Sequence, residues 1–131
     1  MRLFRRRRDD PASDALRSSF DPVASEVAAA QRSLLAAVPT SRDPGVPLGQ
    51  ALSAFGAHLS AARAALERWE APADSIQRAA CAESLERARS EADALRLDEG
   101  PLDFERLNAR IGDVLHHLEE IGDIERALRR R

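Results

Sequence analysis

The run Asp113-Val114-Leu115-His116-His117-Leu118-Glu119-Glu120 is the densest set of metal-type donors in the sequence. Asp113 stands three residues before His116 and four before His117, and Glu120 stands four after His116. On a helix each of these spacings puts two side chains on one face, the geometry of imidazole–carboxylate pairs or of half a metal site. A carboxylate-bridged two-metal bundle needs inward carboxylates from four helices and a Glu-x-x-His motif on two of them. Only Asp113 and His116 approximate that motif, and on one helix. Asp113, His116, His117 and Glu120 are therefore candidate metal ligands weighed against ordinary helix-face pairing, which the spacing favours. The third histidine, His58, directly precedes the apolar Leu59 and should border the core.

Nucleophilic chemistry has less to start from. The single cysteine, Cys81, falls in phase with apolar neighbours, as a small buried hydrophobe does and an activated thiolate does not. One cysteine also excludes an internal disulfide framework and a cysteine-based zinc site. No Gly-x-Ser-x-Gly turn, phosphate-binding glycine loop or dinucleotide fingerprint occurs. No cofactor and no small-molecule ligand are expected.

Charge is distributed unevenly. All 20 positive residues are arginine, and five of them fall in residues 1–8 and four in residues 126–131. Between residues 9 and 125 this leaves 11 arginines against 22 acidic residues, a net charge of −11. Such a body repels phosphate backbones, so nucleic acid is disfavoured as a partner. In the leader, Arg2, Arg5, Arg6, Arg7 and Arg8 with Leu3 and Phe4 form a candidate contact for a membrane surface or another anion. Two large apolar residues support only weak, transient attachment. A solubilising tail shaped by arginine-rich composition is the plainer reading. No apolar run approaches the ~20 residues that span a bilayer, and the basic start lacks a signal-like apolar region. A cytoplasmic protein is expected.

These residues need elements to position them, and the punctuation predicts four helices. Residues 1–19 read as a flexible basic leader, and Asp21-Pro22 reads as a helix start, with the aspartate capping and the proline at the first position. Pro47 and Pro72 open the next helices, and Gly100-Pro101 separates the last two. The expected spans are about 21–38, 47–70, 72–97 and 101–130, with no proline inside any of them.

Apolar residues recur at steps of three and four within these spans. The first seam is Phe20, Val23, Val27, Ala30, Leu34 and Ala37, flanked by Leu35. The second runs from Leu48 through Leu52, Phe55, Leu59, Ala62 and Leu66 to Trp69. The fourth runs from Phe104 through Leu107, Ile111, Val114 and Leu118 to Ile121, then meets Glu125 before Leu128. The third, Cys81, Leu85, Ala88, Ala92 and Leu95, is lean, and Ile76 is out of phase with it. A lean seam marks a peripheral helix or one that meets a partner.

Short connections make neighbouring helices antiparallel. The fold expected is all-α: an antiparallel up-down four-helix bundle with coiled-coil-like seams over residues 20–131. The function expected is non-enzymatic association with a protein partner, the chain itself included as a homodimer. Trp69, Cys81, Leu85 and Glu125 are the candidate interface residues. Trp69 caps the core with its indole N–H outward, unless it is an exposed hot spot. Glu125 marks a frayed end, or is a polar seam position that sets register in an intermolecular coil or pairs with a buried arginine such as Arg78. The alternatives are a peripheral membrane adaptor using the basic leader and a metal-binding bundle enzyme around His116 and His117.

Overall fold

The computed structural model describes residues 11–98, 100 and 102–130. Among them the chain is helical without strands, in the order α1 (Pro11–Leu35), α2 (Leu48–Glu67), α3 (Ile76–Arg96), α4 (Phe104–His116) and α5 (Glu119–Arg129). The arginine-rich segment from Arg2 to Arg8 lies outside the described residues.

The first helix starts ten residues earlier than its proline suggests. Residues 11–19 belong to α1, and Pro22 sits inside the helix rather than at its first position. An interior proline costs about 3 kcal/mol, so something must offset it. Phe20 is fully buried and meets the Trp69 ring edge-on, with centroids 4.8 Å apart. The Trp69 indole donates to the Leu16 carbonyl at 2.8 Å, and the Ser19 hydroxyl accepts from the Glu70 N–H at 3.1 Å. Burying one large apolar side chain stabilises by about 1.5–3 kcal/mol, so these contacts together outweigh the proline. Ser18 and Pro22 are both exposed, which leaves water to solvate the carbonyl that the proline cannot bond.

The turn after α1 has a glycine for a conformational reason. Gly45 has φ +81°, and a Cβ there would stand 2.8 Å from the Ala37 carbonyl oxygen. Its neighbour Val46 closes the loop by donating to the Ala36 carbonyl at 2.8 Å. The third helix begins at Ile76, four residues after Pro72. Ser75 is its N-cap and accepts from the Arg78 N–H at 3.3 Å.

The long fourth helix expected from the seam is two helices. Around His117 and Leu118 the backbone tightens to three-residue hydrogen bonds, His117 to the Val114 carbonyl and Leu118 to the Leu115 carbonyl. The seam stays in phase across the break, because Val114, Leu118 and Ile121 are all buried.

A single core gathers the apolar faces. All six seam residues of α1 and its exit are buried, as are Leu52 through Trp69 and Cys81 through Leu95 at their expected positions. Two expected members are exposed, and Leu48 and Leu107 are only half-buried. Phe104 opens α4 and is 54% exposed, and Leu35 closes α1 and is 50% exposed. Phe104 stands in the first turn of α4, and Leu35 points away from the face on which Leu34 and Ala37 are buried. Ile76 is 87% exposed, in keeping with its position out of phase.

Side-chain partners fix how the helices meet. His58 pairs with Glu26 at 2.9 Å while Trp69 reaches back to Leu16, so α1 and α2 run in opposite directions. Arg63 lies 3.8 Å from Glu86, and Arg78 bonds the Leu66 carbonyl at 2.9 Å, the same relation between α2 and α3. Asp98 bonds Arg106, Glu91 faces His117 and Ser84 bonds Glu120, which sets α3 against α4 and α5 in reverse order. The last helix also packs on α1. Among the described residues no helix is long and apolar enough to cross a membrane.

Candidate functional site

The histidine pair lies beside a shallow depression of about 370 Å³ between α3 and the α4–α5 junction. Its donors do not converge. His116 faces along its own chain to Glu119, with Nδ1 3.2 Å from Oε2, and both side chains are about 70% exposed. His117 turns the other way, across to Glu91 of α3, with Nε2 3.6 Å from Oε1. The two rings are 6.1 Å apart and tilted by 56°. Glu120 accepts from the buried Ser84 hydroxyl at 3.4 Å, and Asp113 is exposed one turn before. Among the described residues, no group of three or more His, Cys, Asp and Glu side chains is arranged to hold a metal ion. What the arrangement does is tie α3 to α4 and α5 through His117–Glu91 and Ser84–Glu120.

Three of the four interface candidates turn inward. Trp69, Cys81 and Leu85 are buried in the chain's own core, so they hold the fold and do not offer a surface. The Trp69 indole N–H also points inward, to Leu16, rather than to water. Burial and, to a lesser degree, the Glu120 carboxylate push the Cys81 thiol up to about 12. Glu125 is half-buried and pairs with Arg129, one turn on, at 2.7 Å. It does not meet Arg78.

Arg78 has a different task. Its guanidinium donates to the Leu66 carbonyl at 2.9 Å, the Ala71 carbonyl at 2.9 Å and the Trp69 carbonyl. The Leu66 carbonyl closes α2 and also accepts from the Trp69 N–H at 3.1 Å, whereas Trp69 and Ala71 follow the helix, so the guanidinium ties the segment after α2 to α3. Its Nε is buried without a partner. The position was visible in the sequence, but its partners are main-chain oxygens, which leave no signal in residue types.

Asp98 is a second centre that residue types alone did not announce. Its carboxylate accepts from the Gly100 N–H at 2.9 Å and pairs with Arg106 at 2.8 Å and with Arg110. The Gly100 hydrogen bond, and then the two arginine charges, hold its carboxyl below the usual carboxylate range against the opposing effect of desolvation.

A groove also runs along the outer side of α2 and α3. It consists of two depressions of about 360 and 340 Å³ that share Leu59, Ser60 and Arg89. Gly56 lies in it, and a Cβ added there would meet no atom within 4 Å. No family model matches the chain, and neither a curated protein nor a solved structure matches it.

Proposed function

We propose that this chain is a non-enzymatic protein that works by associating with another protein surface, a second copy of itself in the first instance. Its helices are taken as an antiparallel up-down four-helix bundle, in which α4 and α5 act as one arm broken at His117. The contacts of α1 with α2 and α5, and of α3 with α2 and α4, support a closed ring of four. A cytoplasmic setting goes with this reading, supported by the single cysteine.

One observation carries the association. Leu97 is 78% exposed and Phe104 54% exposed, at the two ends of the α3–α4 connection. Large apolar side chains left bare favour removal from water by a partner. Light scattering and sedimentation across concentration test this. The parent chain should move from monomer toward dimer as concentration rises, and the Leu97→Ser/Phe104→Ser variant should remain a monomer. A parent that stays monomeric up to about 1 mM overturns self-association, and so does a variant that dimerises like the parent.

A further inference from the structure

We propose that the end of the bundle where α1 starts and α5 finishes binds an anionic membrane surface end-on, with arginines from both ends of the chain on the headgroups and Ile76 in the interface. This goes beyond the association proposed above and uses the end of the molecule opposite to Leu97 and Phe104.

The helix order brings the two basic runs to one place. The Trp69 indole bonds the Leu16 carbonyl, so the start of α1 meets the end of α2. Arg78 bonds the Leu66, Trp69 and Ala71 carbonyls, so the start of α3 joins them. From there α3 runs away while α4 and α5 return, because Asp98 pairs with Arg106, Glu91 faces His117 and Ser84 bonds Glu120. Ile76 lies eight residues before Ser84, and Leu128 eight after Glu120. Each interval is about 12 Å at 1.5 Å per residue. The last turn of α5, with Arg129 and then Arg130, is therefore level with the first turn of α3. Arg8 stands three residues before Pro11, the first residue of α1, within about 11 Å of chain. The run with five arginines is thus tethered to the end at which α5 finishes.

Charge and apolar exposure together select the ligand. This end comprises residues 11–17, 67–78 and 123–130, to which residues 1–10 and Arg131 are attached. Together they hold 12 arginines against 8 acidic residues, a net charge of +4. The rest of the chain holds 8 arginines against 14 acidic residues, a net charge of −6. Three of the acids at the basic end, Asp14, Asp123 and Glu125, already pair with Arg17, Arg126 and Arg129 on their own helices. Glu67, Glu70 and Asp74 reduce the positive excess without reversing it. Arg68 and Arg130 are exposed, and among the described residues neither side chain makes an ion pair. Ile76 is the most exposed large apolar residue among those described, and Leu3 and Phe4 stand within the arginine run. Arginines suit phosphate headgroups and apolar side chains suit the acyl boundary beneath them. Duplex nucleic acid offers the phosphates without that apolar layer. The 25 residues of α1 extend about 37 Å. End-on contact therefore keeps most of the acidic sides beyond the ~8 Å over which charge acts in physiological salt.

Flotation of the full chain with vesicles tests the proposal. Vesicles of mixed phosphatidylglycerol and phosphatidylcholine should carry the protein at about 0.1 M salt and release it at about 1 M. Pure phosphatidylcholine vesicles should not carry it. Arg68→Ala with Arg130→Ala should weaken binding by about 10-fold or more, since each arginine at an anionic surface is worth about 5-fold. Removal of residues 1–8 should weaken it at least as much. Arg42→Ala with Arg96→Ala takes the same charge from exposed positions at the opposite end and should change binding by less than about 2-fold. Ile76→Ser should weaken binding by about 3-fold or more with Tm unchanged, because that side chain touches little of the fold. Failure to float with the anionic vesicles overturns the proposal, as does equal flotation with neutral ones. Equal losses from the two arginine pairs, or affinity unchanged in the Ile76 variant, overturn it too. Displacement from the vesicles by duplex DNA at matching phosphate concentration would assign this end to nucleic acid and overturn the membrane. Leu97→Ser/Phe104→Ser should bind vesicles like the parent, and Arg68→Ala/Arg130→Ala should self-associate like the parent, so the two readings fail separately.

Discussion

The indole N–H of Trp69 donates to the main-chain carbonyl of Leu16 at 2.8 Å, across 53 residues of sequence. This bond, the edge-on contact of the same ring with Phe20, and the Ser19–Glu70 bond anchor the start of α1 against the end of α2. The first two turns of α1 therefore depend on a residue just past the second helix.

Trp69→Phe should separate the two contributions. It keeps an aromatic ring but loses the donor and some volume, at a cost of about 2 kcal/mol in urea denaturation. Hydrogen exchange should rise most for residues 13–19, ahead of α3. A uniform rise across all helices would show that the start of α1 is not held by this bond.

Arg78 should tolerate no shorter or simpler cation. A guanidinium spans several carbonyls from one rigid plane, whereas an ammonium on a flexible stem does not. Arg78→Lys is expected to cost about 1–2 kcal/mol and Arg78→Ala about 2–3 kcal/mol, since carbonyls at the end of α2 and just after it lose a charged donor. If thermal melts place Arg78→Lys level with the parent, the several-carbonyl geometry contributes nothing measurable.

The seams were legible in the sequence because burial on a helix depends on which face a residue occupies, and steps of three and four report that face directly. Val27, Leu59, Leu85 and Val114 fall where the spacing puts them. The start of α1 was not legible, because its support is Trp69, remote in sequence, and local rules read Pro22 as a beginning. The same limit applies to the site residues. Periodicity put Cys81 and Leu85 on an apolar face but could not say whether that face meets this chain or another. Spacing put His116 and His117 side by side, but only the path of α3 decides that His117 faces Glu91 and His116 does not. The groove of Gly56 depends on the separation of two helices, which no single helix encodes.

Cys81 should be silent in the folded protein and costly at alkaline pH. Its thiol titrates near 9.0 when unperturbed and is pushed up to about 12 in the fold, chiefly by burial. A folded value above the unfolded one means that the contribution is full below about 9 and is lost as pH rises toward 12. Native protein at neutral pH should therefore react with an aromatic disulfide reagent at least about 100-fold more slowly than unfolded protein. Cys81→Ala should flatten the alkaline loss of stability. Fast labelling of native protein would contradict this burial.

Asp98 should act at the opposite end of the pH scale. The Gly100 N–H first, and then the charges of Arg106 and Arg110, hold its carboxyl below the usual carboxylate range. A folded value below the unfolded one gives a contribution that is present above the unfolded value of about 3.9. It is lost as pH falls below that value and through the lowered one. Asp98→Asn should therefore be less stable than the parent at neutral pH, with the gap closing only below about pH 4. Urea titrations at a series of acidic pH values measure that gap. A gap that stays constant down through this window would mean that Asp98 supports the α3–α4 connection through shape alone, with its charge on Arg106 and Arg110 contributing nothing to stability.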